Sequence, residues 1–228
     1  MKRSWLFAAL LLAGCSPSFK RHAMEDELRA QAPIFDDQEI AAIEQLRPQI
    51  QLPMRIAVSQ PLSGRPWSAA EIAEIGSWAE PLRRAGFARQ VSVLPASLID
   101  RCGSGTGRCA VDANRKAAAR IGADTLLVMN PVTQVETYTN PLVLLDFAIV
   151  GLWLAPSHHT DALALLEGTL IDNRNQYVYA FARGEGEHTS VRPLIYASAS
   201  QADLAARADA LRTFGKTFVH QAAQFDAE

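Results

Sequence analysis

The sequence predicts an α/β domain over residues 36–228, a single compact unit with a mixed sheet flanked by helices. Three observations carry that expectation. Extended apolar runs alternate with helical patterns through the first half of the chain. Two extended runs then surround a turn, Asp172-Asn-Arg-Asn175, and a long one-faced helical pattern follows them. With 49% apolar residues in 228, the chain can bury a full-sized core, which excludes disorder along its whole length. No internal repeat or low-complexity tract divides it.

Each element has a local cause. Asp36 and Asp37 can cap a short helix carrying Ile40, Ile43 and Leu46, which stops before Pro48. Pro53 to Ser59 reads as a first strand, with Ile56 and Val58 bracketing Ala57. Ser68-Ala-Ala-Glu71 is a capping box, and Ile72, Ile75 and Ala79 follow at helical spacing. Pro81 kinks or restarts that helix and Gly86 closes it. Val91 to Leu94 is a second strand, and Val111 to Ile121 a helix ended by Gly122. Thr125 to Met129, nearly all apolar, suits a central strand covered on both faces. Leu142 to Leu154 is interrupted only by Asp146 and Gly151; it is too short to span a bilayer and reads as a buried helix or a surface-docking segment. Leu163 to Ile171 and Tyr177 to Ala182 form a hairpin. In the last helix Leu204, Ala208, Leu211, Gly215, Phe218, Ala222 and Phe225 make one stripe, with Arg207, Arg212 and Lys216 off it.

The first residues carry a different signal. Met1-Lys2-Arg3-Ser4 is a basic head, and Trp5 to Gly14 is an uncharged apolar run ending at Cys15. Ten helical residues span about 15 Å, half of a ~30 Å hydrocarbon core, so a secretory segment fits better than a permanent span. Leu12-Ala13-Gly14-Cys15 resembles the bacterial lipobox. That resemblance implies a signal peptide over 1–14 and acylation of Cys15, palmitate included, as the first residue of the mature chain. By resemblance to sorted bacterial lipoproteins, Ser16 after it implies the outer membrane, facing the periplasm. An ordinary signal peptide with an incidental cysteine is the alternative. Loss of Lys2 and Arg3 would leave 20 basic against 24 acidic residues, a net charge of −4. Residues 15–35, with Pro17, Pro33 and no sustained apolar face, read as a tether with a reach of roughly 25 Å. Within it, Lys20, Arg21 and His22 are a solvated cluster or a contact to anionic lipid.

The remaining candidates divide by chemistry. The near-neutral balance, −2 for the whole chain, excludes nucleic acid as a main partner. Cys102 and Cys109 bracket Gly103-Ser-Gly-Thr-Gly-Arg108, and outside the cytosol the pair is expected as a disulfide. Closing so short a loop would stabilise by ~2.5 kcal/mol. Two cysteines alone do not complete a zinc site, so no metal is expected. Gly103, Gly105 and Gly107 lead into a helix, yet neither the Gly-Lys-Ser/Thr run nor the dinucleotide spacing follows, and no cofactor is expected. His158-His159-x-Asp161 reads as a solvated loop leading into a strand, because adjacent histidines in extended chain face opposite ways. Ser104, Ser157 and Ser190 lack the sequence context of a nucleophile, so no catalytic residue is assigned. Trp67, Trp78 and Trp153 suit core or interface anchors.

Cys15-Ser-Pro with Lys20-Arg21-His22, and Ile149-Val-Gly-Leu-Trp-Leu-Ala-Pro156, resemble the rhombotail lipoproteins of the bacterial envelope. The order of strands and helices, including a helix ending in Gly-Ala-Asp124, agrees with them. Some members carry a Gly-Gly, hydrophobic, basic tail where this chain has Gln224-Phe-Asp-Ala-Glu228. The same order is similar to the TolB amino-terminal domain and the curli-secretion lipoprotein. The resemblance implies a non-catalytic binding or assembly module, attached to a membrane through Cys15. Its expected contact surface is Leu142, Leu145, Phe147 and Trp153, facing an unidentified envelope protein or a second copy of the chain. The alternative is an envelope hydrolase or small-ligand binder using the Gly-rich loop and His158/His159.

Overall fold

In the computed structural model, which describes residues 19–30, 37–62, 65–100, 107–147 and 151–225, five strands form one mixed sheet. They are β1 (Met54–Val58), β2 (Ala88–Val93), β3 (Thr125–Thr139), β4 (His158–Asp172) and β5 (Val178–Arg192), in the spatial order β2-β1-β3-β4-β5. The helices are α1 (Arg21–Ala30), α2 (Asp37–Glu44), α3 (Ala69–Ser77), α4 (Ala79–Arg84), α5 (Gly107–Arg120), α6 (Gly151–Leu154) and α7 (Ala199–Gln224). β1 is parallel to both β2 and β3, and helices make the crossovers that parallel pairing demands. β3, β4 and β5 are antiparallel, each fifteen residues long, so this half of the sheet runs for about 50 Å. The single α/β domain read from the sequence is the architecture observed.

β3 extends ten residues beyond Met129, where the sequence reading ended it. β1 pairs with it only as far as Leu127, so past that point β3 has β4 alone beside it. An edge position is where a strand tolerates a proline, and Pro131 sits there opposite Leu166. The weak alternation of Thr133 to Thr139 belongs to the same half-covered edge. The histidine pair is corrected too: His158 and His159 are the first residues of β4, paired with Thr139 and Tyr138, not a loop.

Two apolar layers cover the sheet. On one face α3, α4 and α7 close over Met54, Ile56, Val58, Met129 and Leu166, with Phe87, Phe214 and Phe218 buried among them. On the other, α5 places Ala117 and Ala118 against Ala57 and Leu126, and α1 places Met24 and Leu28 on Val132, Leu163 and Leu165. The stretch expected as a tether therefore holds a docked helix. Two apolar residues four apart sufficed for a face, and Arg21 adds ion pairs with Glu185 (2.6 Å) and Glu187 (3.0 Å).

α7 lies closer to the sheet than its large residues would allow. Ala202, Ala206 and Ala210 form its inner row, and they pass over Gly184 and Gly186 of β5. A Cβ on Gly184 would fall 2.2 Å from the Ala210 carbonyl oxygen, and one on Gly186 2.2 Å from that of Ala206. The expected stripe holds at Leu211, Gly215, Phe218 and Ala222, which are buried, and departs elsewhere: Leu204 and Phe225 are exposed, whereas Arg207, expected outside, is buried. Its guanidinium lies 2.9 Å from Glu71 and 5.3 Å over the Trp67 ring. Glu71 is buried in turn, because it closes the capping box with Ser68 and pairs with Arg65 at 2.7 Å. Ile72, assigned to the inner face of α3, is 41% exposed as a result.

Two predictions follow from this packing. Gly186→Ala pushes α7 off the sheet and lowers unfolding free energy by about 2–4 kcal/mol, read from urea titration. Burial alone would raise the Glu71 carboxyl, but hydrogen bonds from Arg65 and Ser68 and the Arg207 charge outweigh it and hold it below its usual 4.5. Its contribution is complete above that value and disappears on acidification. Glu71→Gln is therefore less stable than the native chain at about pH 7, with a difference that narrows towards about pH 3.

Candidate functional site

The far end of the long hairpin is built inside out. β3 stops at Thr139 and β4 starts at His158, and between Asn140 and Ser157 the only ionisable side chain in the sequence is Asp146. The base of this connection is fastened by Asn140. Its backbone N–H donates to the Ser157 carbonyl, its Nδ2 to the Pro156 carbonyl, and its Oδ1 accepts from Leu142 N–H, each at 2.9 Å. A turn of 3₁₀ helix over Pro141–Phe147 and the short α6 follow. Gly151 lies so close to the chain at Leu145 that a Cβ would stand 1.7 Å from that carbonyl oxygen.

Polar side chains point into this connection. Ser157, fully buried, donates from Oγ to Asp146 Oδ2 at 2.8 Å and lies 2.9 Å from His158 Nδ1. With Nδ1 protonated, His158 donates to Ser157 and Ser157 to Asp146, one continuous brace. The three residue types are those of a hydrolase triad, but the wiring differs. A triad places serine and carboxylate at opposite nitrogens of the ring. Here both lie on the Nδ1 side, and the serine oxygen is shut away from solvent. His159 points to the other face, stacked on Tyr138 with centroids 4.9 Å apart, its Nε2 3.0 Å from Asn140 Nδ2.

The apolar side chains point out. Phe147 is 90% exposed, Leu154 73%, Leu144 69% and Trp153 54%, and Leu142 and Leu145 are exposed beside them. Trp153 meets Tyr196 edge-on at 6.3 Å, which joins this cap to the exposed Leu194 and Ile195. The four residues expected as a contact surface, Leu142, Leu145, Phe147 and Trp153, are all exposed; they are neither core nor one helix. Leu144 and Leu154 enlarge it and were legible within the same run. Tyr196, forty-three residues after Trp153, gave no signal in sequence.

Other candidates are placed elsewhere or lie beyond description. Cys15, Cys102, Gly103 and Gly105 lie outside the described residues, and Cys109 is exposed in the first turn of α5. A cavity of about 240 Å³ opens at the other end of β3, lined by Gln49, Ile50, Gln51, Arg89, Asp124 and Arg174. Its acidic member is already engaged, since Asp124 accepts from Arg55 at 2.9 and 3.1 Å. Burial raises the Asp124 carboxyl, and the bonds from Arg55 more than reverse that. Among the described residues no cluster of His, Cys, Asp and Glu is arranged to hold a metal ion, and no helix is long and apolar enough to cross a membrane.

No protein-family model and no curated protein matches the chain, so the rhombotail resemblance rests on the residues quoted for it. Solved structures do match it. A single-residue variant of the PelC dodecamer from Paraburkholderia phytofirmans is 16% identical over 75% of this chain and 90% of that one, with a TM-score of 0.38. Lipoprotein GNA1162 from Neisseria meningitidis is 18% identical over 75% and 99%, with a TM-score of 0.36. A HAM1 protein from Coxiella burnetii is 15% identical over 76% and 99%, with a TM-score of 0.34. These are distant likenesses of fold.

The brace makes a prediction of its own. Ser157→Ala leaves Asp146 and His158 without their shared hydroxyl and costs about 1–3 kcal/mol of stability. Limited proteolysis then cuts within 140–157 sooner than in the native chain, while the sheet and α7 stay protected.

Proposed function

We propose that this chain is a bacterial envelope lipoprotein, held at a membrane by acylated Cys15, that works as a non-catalytic binding or assembly module. The cap of Leu144, Phe147, Trp153 and Leu154 is the observation that carries the reading. Its polar side chains are turned inward and its apolar side chains outward, so its natural neighbour is not water. The lipobox-like Leu12 to Cys15 supplies the address, and Ser16 favours the outer membrane with the body in the periplasm. In that compartment Cys102 and Cys109 form a disulfide that closes the Gly-rich loop ahead of α5. The hydrolase alternative draws less support, because the serine beside His158 is buried and already shared with Asp146.

Two readouts test the proposal together. The native chain incorporates labelled palmitate and fractionates with membranes, and Cys15→Ser does neither. A Phe147→Cys variant reacts readily with a small membrane-permeant maleimide when purified, and is protected about tenfold or more in intact envelopes, as expected of a fully desolvated contact. Equal labelling in both settings, or palmitate incorporation that survives Cys15→Ser, overturns it.

A further inference from the structure

We propose that the cap docks into the interfacial zone of the same bilayer that holds the acyl anchor, a second attachment point for the protein body. The inference rests on the reading of Cys15 as the anchor and names what covers the cap.

Chain length decides the occupant. The described structure begins at Phe19, which packs against the cluster of Met24, Leu28, Val132, Leu163 and Leu165. Next to it, the backbone N–H of Lys20 donates to Gln134 Oε1 at 3.1 Å. Five residues separate Cys15 from Lys20, and fully extended they reach about 17 Å. Five residues separate Gln134 from Thr139 along β3, a rise of about 17 Å that ends where the cap begins. The acylated residue can therefore stand level with the cap and no farther beyond it. A body tied this closely keeps the hairpin end near the lipid, and the surface it presents there is the uncharged, outward-turned one.

The composition of the cap fits that zone. Trp153 and Tyr196 are amphipathic rings of the kind that settle at headgroup level, and Phe147, Leu144 and Leu154 supply aliphatic and aromatic bulk beyond them. The one carboxylate of the connection, Asp146, is hydrogen-bonded on the inner side, so no charge need be dehydrated on entry. Arg192, exposed two residues before Leu194, donates to Gln201 Oε1 at 2.9 Å.

Trp153 is a built-in reporter, because the other tryptophans of the described residues, Trp67 and Trp78, are buried. The acylated protein is reconstituted into vesicles of phosphatidylethanolamine and phosphatidylglycerol containing lipids brominated near the headgroup. The emission lost on Trp153→Phe is assigned to Trp153. Quenching of that component by the bromolipid, with a blue shift, is the expected result. It falls about fivefold or more in a Phe147→Asp/Leu154→Asp double variant, whose circular dichroism and vesicle recovery stay native. Mass spectrometry of the same sample reports acylation. If the chain proves unacylated, the same vesicles are offered to it directly, and quenching then upholds the docking without the anchor. Trp153 emission that stays water-like beside brominated lipid overturns the proposal. So does a blue shift that needs no lipid and vanishes on dilution, which would make the occupant a second copy.

Discussion

The fifteen-pair ladder between β3 and β4 is the constraint on which this molecule depends. Its first part lies inside the domain, where β1 flanks β3 and helices cover both faces. Its second part projects past β1 and carries the connection that forms the cap. An antiparallel ladder fixes the register of both strands at once, so the cap stands where the core places it. β5 follows the same register along β4, and α7 clamps the three strands from one side. The clamp needs the glycines of β5, since helix backbone rests directly on strand backbone at Gly184 and Gly186. A contact of that kind leaves no room for sliding.

Much of this was legible because local chemistry and global position agree. The Ser68/Glu71 capping box, the left-handed glycines at 86 and 122, and the Asp172–Asn175 turn all stand where their residue types put them. The failures share a physical cause, which is that side-chain size misleads when backbones approach closely. Leu204 and Phe225 looked like the ends of the inner stripe of α7, yet alanines face the glycines and these two are exposed, while Leu211, Phe214 and Phe218 are buried. Arg207 looked solvated, yet Glu71, freed to be inside by its cap, supplies a buried counter-charge. In α1, a face of two residues was too brief to register as periodicity, although Met24 and Leu28 bury well.

The apolar run at Leu142 to Leu154 stood out in sequence by composition, and its outward exposure did not. A run such as Leu142 to Leu154 reads equally well as a buried helix. What turns it outward is the set of polar residues interspersed with it. Asn140 is held by the local backbone, and Ser157 Oγ donates to Asp146 Oδ2. Once those bonds are made on the inner side, the hydrophobic side chains have only the outer side left. Unsatisfied buried polar groups are costlier than exposed methyl groups, so the fold accepts the apolar exposure. This ordering of costs is why an apolar sequence can make a rigid outer surface without collapsing onto the core.

Charge narrows what such a surface can be attracted by. Cut before Cys15, the chain carries a net charge of −4, and an anionic bilayer would repel rather than gather it. Arg21, the basic residue nearest the anchor for which ion pairs are seen, is spent on Glu185 and Glu187. These pairs are largely exposed and hold α1 only weakly; its docking relies on Phe19, Met24 and Leu28. In the proposed arrangement Coulomb attraction would therefore not bring the hairpin end to the lipid, and apolar contact would do so once the acyl chains had brought the body within reach. In that arrangement the two attachments would work in sequence: the covalent lipid would raise the local concentration of the cap at the interface, and the cap would then fix the orientation that a single flexible anchor leaves free.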